Sequence, residues 1–408
     1  MIQILHKRNI VSQIIPFLKS KEAIIIYGAR QVGKTSLLRY LIQEYLKENV
    51  FYLDLEIPSL LELCNKSSED VYTYLLQKGA LKEKTIFLII DEIQYLENPS
   101  QFIKIMHDHY PEIKIFASGS SAFEIRKKLN QSLTGRAIIF DLYPLSFDEF
   151  LMFKGKKYDL QEKNADLINQ ELIPLAEEYI RFGGYPQIVL EPSEEKKFIY
   201  LSQIITTYIR KDIRNIGKIR NITSFNKLVE ILASQTGQLM NTAELSRTLG
   251  ITQRTIIEYL EILELTFIIK IMRPFHKNLR SELSKTAKVF FLDTGMLHLL
   301  WMKEFPKTIL GNVFETFVFL EFMKNENILF FWRTTNKQEI DFIIRKKNNL
   351  YAIESKLQFQ KESSALRFFA EHYPCQTFMV GLYGEKKGKY PWEMIKVLED
   401  KKEEANNK

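Results

Sequence analysis

The chain has 408 residues, a formal net charge of +7 and a pI near 9.0, with 46% hydrophobic and 26% charged residues. This composition fits a soluble globular protein of roughly two to four domains, and the mild positive excess permits an acidic partner such as nucleic acid without demanding one. No stretch approaches about 18 uninterrupted apolar residues, which excludes a membrane span, and Cys64 and Cys375 form no metal or redox pattern.

No continuous apolar segment follows Lys7 and Arg8, so no signal peptide is expected, and the cysteine usage fits a reducing, cytoplasmic setting. Ile10–Leu18 reads as a short amphipathic helix. Ala23–Tyr27 is a short apolar run with the signature of a buried strand. Gly28, Ala29, Arg30, Gln31, Val32, Gly33, Lys34 and Thr35 then match the phosphate-binding pattern G-x-x-x-x-G-K-[ST]. Ser36–Glu48 carries leucines and isoleucine at helical spacing. The order matters chemically. The two glycines let successive amides face phosphate oxygens, and the helix that follows contributes its positive end. Lys34 is placed to reach the β- and γ-phosphates, and the Thr35 hydroxyl to ligate Mg²⁺.

Val50–Leu55 reads as a second strand, Pro58–Gly79 as short helices, and Thr85–Ile90 as a third, wholly apolar strand. It runs into Asp91-Glu92. An acidic pair there suits a metal-holding Asp91 and a water-polarising Glu92; alone it would read as a solvated loop or helix cap. Ile113–Ala117 is the next strand, followed by Ser118-Gly119-Ser120-Ser121. Ser118 or Ser120 suits a γ-phosphate sensor, and the competing reading is a helix N-cap for a helix over Ala122–Leu129. The segment Ser132–Leu151 supplies a fifth strand with Arg136 at its start. A positioned arginine stabilises charge on a γ-phosphate. Because ligands of open α/β sheets bind at the carboxyl ends of strands, Arg136 would more easily serve a neighbouring subunit; the alternative is a surface salt bridge.

GARQVGKTSLL, the strand ending in Asp91-Glu92, the Ser-Gly-Ser-Ser turn and LTGR…LYPLSFDEF together resemble the prokaryotic AAA+ ATPases that carry a C-terminal domain of uncharacterised function, close to the STAND-type and replication-initiator-like branches. The resemblance runs from about Lys7 to Tyr383. It implies ATP and Mg²⁺ as cofactors and a homo-oligomer as one possible assembly.

Gly155–Asn169 is polar and reads as a linker, and Glu171–Arg181 as a helix that stops at Gly183-Gly184-Tyr185-Pro186. By resemblance alone, Gly184 and Pro186 would touch nucleotide, as a Gly-x-Pro turn does in STAND-type lids; as a plain helix terminator the turn needs no function. Glu194–Ile216 reads as one long helix with a solvated charged face, and Ser224–Gln235 as another. Thr242–Leu249 and Thr252–Leu263, closed by Gly250 and capped by Thr252, have helix-turn-helix spacing, with Phe267–Met272 and Lys288–Leu292 as a wing. A DNA-binding reading places Gln253, Arg254 and Thr255 in a major groove, with Arg273, His276, Lys277 and Arg280 near phosphates. Glu258, Glu261 and Glu264 on the same helix oppose it, and a lid or partner-binding role is the alternative. Asp293 reads as a helix cap.

From Gly311 the pattern restarts with an apolar helix, Asn312–Lys324, that carries Glu315 and Glu321. Strands follow at Ile328–Trp332, Glu339–Ile344 and Leu350–Lys356. Asp341 and, thirteen residues on, Glu354-Ser355-Lys356 form the PD-(D/E)xK nuclease arrangement: two carboxylates for Mg²⁺, a lysine for the attacking water, and Glu315 as an added ligand. The competing reading is a half-buried hairpin with outward charges, or a relic site that only binds. Glu399–Lys408 is charged and expected to be disordered. The chain is therefore expected to be an α/β protein: a P-loop AAA+ parallel-sheet core (1–155), a helical lid (156–238) plus winged helix (239–305), and a C-terminal α/β restriction-nuclease-like domain (306–398). It is expected to be a Mg-dependent ATPase acting on nucleic acid, or a nucleotide-controlled switch for protein partners without nuclease activity.

Overall fold

Five strands rich in isoleucine form a wholly parallel sheet near the N-terminus. They are β1 (Ala23–Gly28), β2 (Val50–Asp54), β3 (Ile86–Asp91), β4 (Ile113–Ser120) and β5 (Ala137–Leu142), in the order β2-β3-β4-β1-β5. Every residue of β1 and β4 is buried, as central strands covered on both faces must be. After α1 (Val11–Ile14), the helices α2 (Lys34–Tyr45), α3 (Pro58–Lys66), α4 (Ser68–Gln77) and α5 (Pro99–His109) lie in the connections between strands. In α2, Leu37, Leu38 and Leu41 supply the buried stripe. Because the strands are parallel, their carboxyl ends share one edge. Gly28 pairs with Ser120, and Asp54 with Asp91.

The structure, a computed structural model, describes residues 5–120, 133–213, 219, 221–275, 286–325, 327–334 and 336–400. The helix expected over Ala122–Leu129 and the basic residues His276, Lys277 and Arg280 lie outside the described residues. So do residues 401–408; Glu399 and Asp400 finish a helix.

The chain divides into two units. The first is Met1–Tyr143 with the segments Tyr208–Ile219 and Leu265–Phe267; the second is Pro144–Thr207, Arg220–Glu264 and Ile268–Lys408. The second unit contains α6 (Phe147–Phe153), α7 (Asp166–Phe182), α8 (Pro186–Leu190), α9 (Glu194–Ile204), α10 (Ile222–Ser234), α11 (Thr242–Leu249), most of α12 (Gln253–Leu265), α13 (Thr294–Trp301), α14 (Gly311–Lys324), α15 (Ser364–His372) and α16 (Pro391–Asp400). Its six-stranded sheet has the order β11-β10-β9-β8-β6-β7, from β6 (Ile269–Pro274), β7 (Lys288–Phe291), β8 (Leu329–Arg333), β9 (Glu339–Lys346), β10 (Asn349–Gln358) and β11 (Gln376–Tyr383).

Several expected boundaries move. The wing and the C-terminal segment, expected as separate domains, share one sheet, because β6 pairs with β8 through Arg273 with Phe330 and Pro274 with Phe331. The wing covers an edge of β8 that would otherwise expose unpaired amides and carbonyls. Residues 144–153, expected in the nucleotide domain, belong to the second unit. Both carboxylate oxygens of Glu321 accept the Phe147 amide at 3.1 Å, and the Phe147 ring packs edge-on against Phe317. The expected linker is anchored rather than free: the Glu393 carboxylate, fully buried on α16, accepts the Asn164 amide at 3.1 Å, and Trp392 Nε1 donates to Asn169 at 2.9 Å. The long helix expected over Glu194–Ile216 leaves α geometry after Ile204 and continues as a π-helix over Ile205–Ile213.

Candidate functional site

The loop after β1 is shaped for an anion by its backbone. A Cβ at Gly28 would stand 2.3 Å from the Leu142 carbonyl oxygen on β5, so only glycine lets the strand reach its turn. Gly33 has φ +97°, the left-handed region where glycine is at ease, and it opens α2. Lys34 is 5% exposed, and its ammonium donates to the carbonyls of Gly28 at 3.2 Å and Ala29 at 3.0 Å. Burial holds its pKa below the ordinary lysine value, while Glu92 and Asp91 oppose that shift. A buried ammonium resting on two neutral carbonyls at a helix N-terminus fits the arrival of a phosphate.

Asp91 is the hub of the edge. Its Oδ2 accepts from the Thr35 hydroxyl at 2.7 Å and from Tyr52, and its Oδ1 accepts from Ser118. The phenol of Tyr52 is held above its ordinary pKa by burial and by that bond to Asp91. The parallel sheet thus brings together Lys34, Thr35, Asp91 and Ser118 as the sequence suggested. A carboxylate 2.7 Å from a hydroxyl beside this loop is a pair that would suit Mg²⁺, with Thr35 and Asp91 as the residues that would hold it. Glu92 follows at φ +57°, a conformation that costs a non-glycine residue about 1–3 kcal/mol and is concentrated at working sites. Its side chain accepts from the Gln94 amide, and the Gln94 Oε1 accepts the Ser120 amide at 3.1 Å. Ser120 therefore meets the site through its backbone.

Three contributors had no local sequence signal. Tyr52 and Gln94 are two. The third is Arg8, 5% exposed, whose guanidinium donates to Val32 O at 2.9 Å and Tyr143 O at 2.8 Å and so braces the phosphate loop from behind.

Other expected site residues are placed elsewhere. Arg136 stands at the amino edge, where its carbonyl accepts the Ala23 amide at 2.8 Å; β1, about 3.3 Å per residue long, separates it from Gly28. Its guanidinium pairs with Asp108 at 2.9 Å, which holds that carboxyl far below its usual range. Arg136 does not serve the phosphate loop of its own chain. Gly184 has its amide on Asp293 at 2.7 Å and its carbonyl on the Leu145 amide at 2.7 Å. Its backbone is spent inside the second unit, because Asp293 is buried and ties this turn to the first amides of α13, capping Met296 N at 2.8 Å. Pro186 simply opens α8.

On α12, Gln253 and Arg254 are exposed and Thr255 is half-buried, its amide capped by Thr252 Oγ1 at 3.1 Å. Arg254 pairs with Glu258 at 3.1 Å in an exposed contact along the helix, and Ile257 and Glu261 share the exposed face.

In the C-terminal sheet, Asp341 Oδ2 accepts from the Ser355 amide at 2.9 Å and from Lys356 at 3.4 Å, so the Asp341 and Glu354-Ser355-Lys356 positions do converge. Glu354 accepts from Ser363. Glu315, however, pairs with Lys288 at 3.0 Å. Burial and Asp341 raise the Glu315 pKa, and Lys288 opposes the rise. Burial alone would depress Lys288, but Glu315, Asp341 and Glu339 together hold it above its ordinary value. Among the described residues, no group of three or more His, Cys, Asp and Glu stands ready to hold a metal ion. Glu315 Oε1 and Asp341 Oδ2 each already meet an ammonium group.

Comparison with known proteins divides the chain into three segments, the first running past Tyr143 and the other two meeting between residues 307 and 310. Residues 20–151 match the family model of an AAA domain, residues 173–307 a domain of unknown function (DUF8612), and residues 310–397 another (DUF4143). An uncharacterized protein of Haemophilus influenzae is 27% identical over 396 residues, covering 94% of each chain. An uncharacterized protein of Methanocaldococcus jannaschii is 28% identical over 334 residues, covering 79% of this chain and 72% of its own. Among solved structures, Cdc6p from Pyrobaculum aerophilum aligns over 75% of this chain and 98% of its own with 12% identity and a TM-score of 0.31, too low to carry a functional inference. The AAA domain match at residues 20–151 spans all five strands of the first sheet together with Lys34, Thr35 and Asp91.

Proposed function

We propose that this chain binds and hydrolyses ATP and acts as a nucleotide-controlled switch that engages a partner. The observation that carries the reading is the convergence of Lys34, Thr35, Asp91 and Ser118 on the carboxyl edge of one parallel sheet. Loop amides and Lys34 bind the β- and γ-phosphates, with Arg30 and Ser36 at the rim of the loop. Thr35 and Asp91 hold Mg²⁺, which neutralises phosphate charge when bound. Glu92 orients and deprotonates the attacking water, and Gln94 positions Glu92. Ser118, already on Asp91, is the group best placed to register a γ-phosphate.

The partner is read as protein rather than DNA. The exposed start of α12 presents Arg254 among Glu258, Glu261 and Ile257, a face on which carboxylates outnumber the cation and oppose phosphate. Nuclease activity is not part of the proposal. The helix–three strands–helix–strand order of α14, β8, β9, β10, α15 and β11 supports a nuclease-like fold, but its carboxylates are neutralised from within.

Glu92→Gln tests the reading. ATP should stay bound, as measured by equilibrium titration, while phosphate release falls by about 10²-fold or more, the usual worth of a positioned base. An unchanged rate of hydrolysis removes Glu92 from the mechanism.

A further inference from the structure

We propose that Lys288 is the resident cation of the C-terminal carboxylate cluster, an ammonium built in where a two-carboxylate nuclease would recruit a divalent metal ion. Lys288 enters from β7, the outermost strand of the sheet, and is 2% exposed. Its ammonium lies 3.0 Å from Glu315 on α14 and 2.7 Å from Glu339 on β9, and 5.6 Å from the centre of the Phe331 ring. Such a placement is not incidental. A buried lysine is costly unless its charge is met, and here two carboxylates from two different elements meet it.

The remaining charges are met from within as well. Arg333 donates to the second oxygen of Glu339 at 3.1 Å, and Lys356 donates to Asp341 at 3.4 Å. Four carboxylates, Glu315, Glu339, Asp341 and Glu354, therefore face three fixed cations, so little charge is left for a divalent ion to neutralise. A metal ion needs lone pairs that are free or held by water. In this cluster both Glu339 oxygens meet Lys288 and Arg333, Glu315 Oε1 meets Lys288, Asp341 Oδ2 accepts from Ser355 and Lys356, and Glu354 Oε1 accepts from Ser363. Lys288 thereby joins the wing strand to α14 and β9 by charge, alongside the hydrogen bonds that join β6 to β8.

The inference does not depend on ATP hydrolysis and is tested without nucleotide. Mn²⁺ binding to the full-length chain is followed by the loss of the free-ion electron paramagnetic resonance signal, in wild type, Asp341→Asn, Lys288→Met and the double variant Lys288→Met/Asp341→Asn. The wild type and Asp341→Asn should bind Mn²⁺ alike. Lys288→Met should gain one site, at least tenfold tighter than any the wild type shows, and the double variant should lose it. The melting temperature of Lys288→Met should fall and recover in part on adding Mn²⁺, whereas Lys288→Arg should behave as wild type. A wild-type Mn²⁺ site that Asp341→Asn abolishes overturns the proposal, and so does a folded Lys288→Met with no added site. If Lys288→Met does not fold, the comparison of wild type with Asp341→Asn still decides.

Discussion

Replacing Lys34 by alanine probes the phosphate loop where its energetics can be worked through. The ammonium is 5% exposed and donates to Gly28 O and Ala29 O, so it is held on the loop and loses little water when a phosphate arrives. At about 4 Å and an effective dielectric of about 20, one unit charge against one phosphate charge is worth roughly 4 kcal/mol. At about 1.4 kcal/mol per tenfold, that is close to a 10³-fold loss of ATP affinity. The variant also frees two carbonyls, so a thermal melt must accompany the titration to show that the fold persists. Isothermal titration of ATP into wild type and variant reads the difference directly. A folded Lys34→Ala that binds ATP within a few-fold of wild type refutes the placement of phosphate at this loop.

Three further outcomes follow from other parts of the chain. Tyr52→Phe removes a donor to the Asp91 carboxylate while keeping the ring, and should lower stability to urea by about 1.5–3 kcal/mol; an unchanged midpoint means the hydroxyl does not order Asp91. Gly28→Ala puts a methyl group 2.3 Å from a backbone carbonyl that cannot swing away, and should cost about 1–3 kcal/mol or more, with weakened ATP binding measured beside it. His298 is 1% exposed, and burial holds it neutral by lowering its pKa to about 4, while its Nδ1 pairs with Arg181 O at 3.0 Å. The unfolded chain takes up that proton below its ordinary value of 6.5, so stability should be lost as pH falls from 6.5 towards 4, by roughly 3 kcal/mol at most. His298→Gln should flatten that part of the pH profile; an equally steep loss in the variant assigns the acid sensitivity to other groups.

The proposed phosphate site was legible in the sequence because its residues are contiguous. Gly28 to Thr35 lie on eight successive residues, and Asp91 is announced by the apolar run of β3 that delivers it to the sheet edge. What completes the site arrives by packing. Arg8, twenty-four residues before the carbonyl it braces, and Tyr52, on the edge strand β2, are placed by tertiary contacts that no local pattern encodes. The same limit governs the second unit. Asp341 and Glu354-Ser355-Lys356 were visible as a motif, yet the residue that decides their chemistry, Lys288, was read only as the first position of a wing strand. Its meeting with Glu315 depends on β6 pairing with β8 across more than fifty residues. Gly184-Tyr185-Pro186 was expected to touch nucleotide by resemblance to a STAND-type lid turn alone, while its glycine and proline by themselves mark only a tight turn. Only the buried carboxylate of Asp293 reveals that the Gly184 amide is already taken.

The most direct test of the account is phosphate release from ATP by the purified full-length chain, with Mg²⁺ and with the metal chelated. The account predicts release that requires Mg²⁺ and that disappears in both Lys34→Ala and Glu92→Gln. Release that persists unchanged in the chelator, or in either variant, would contradict it.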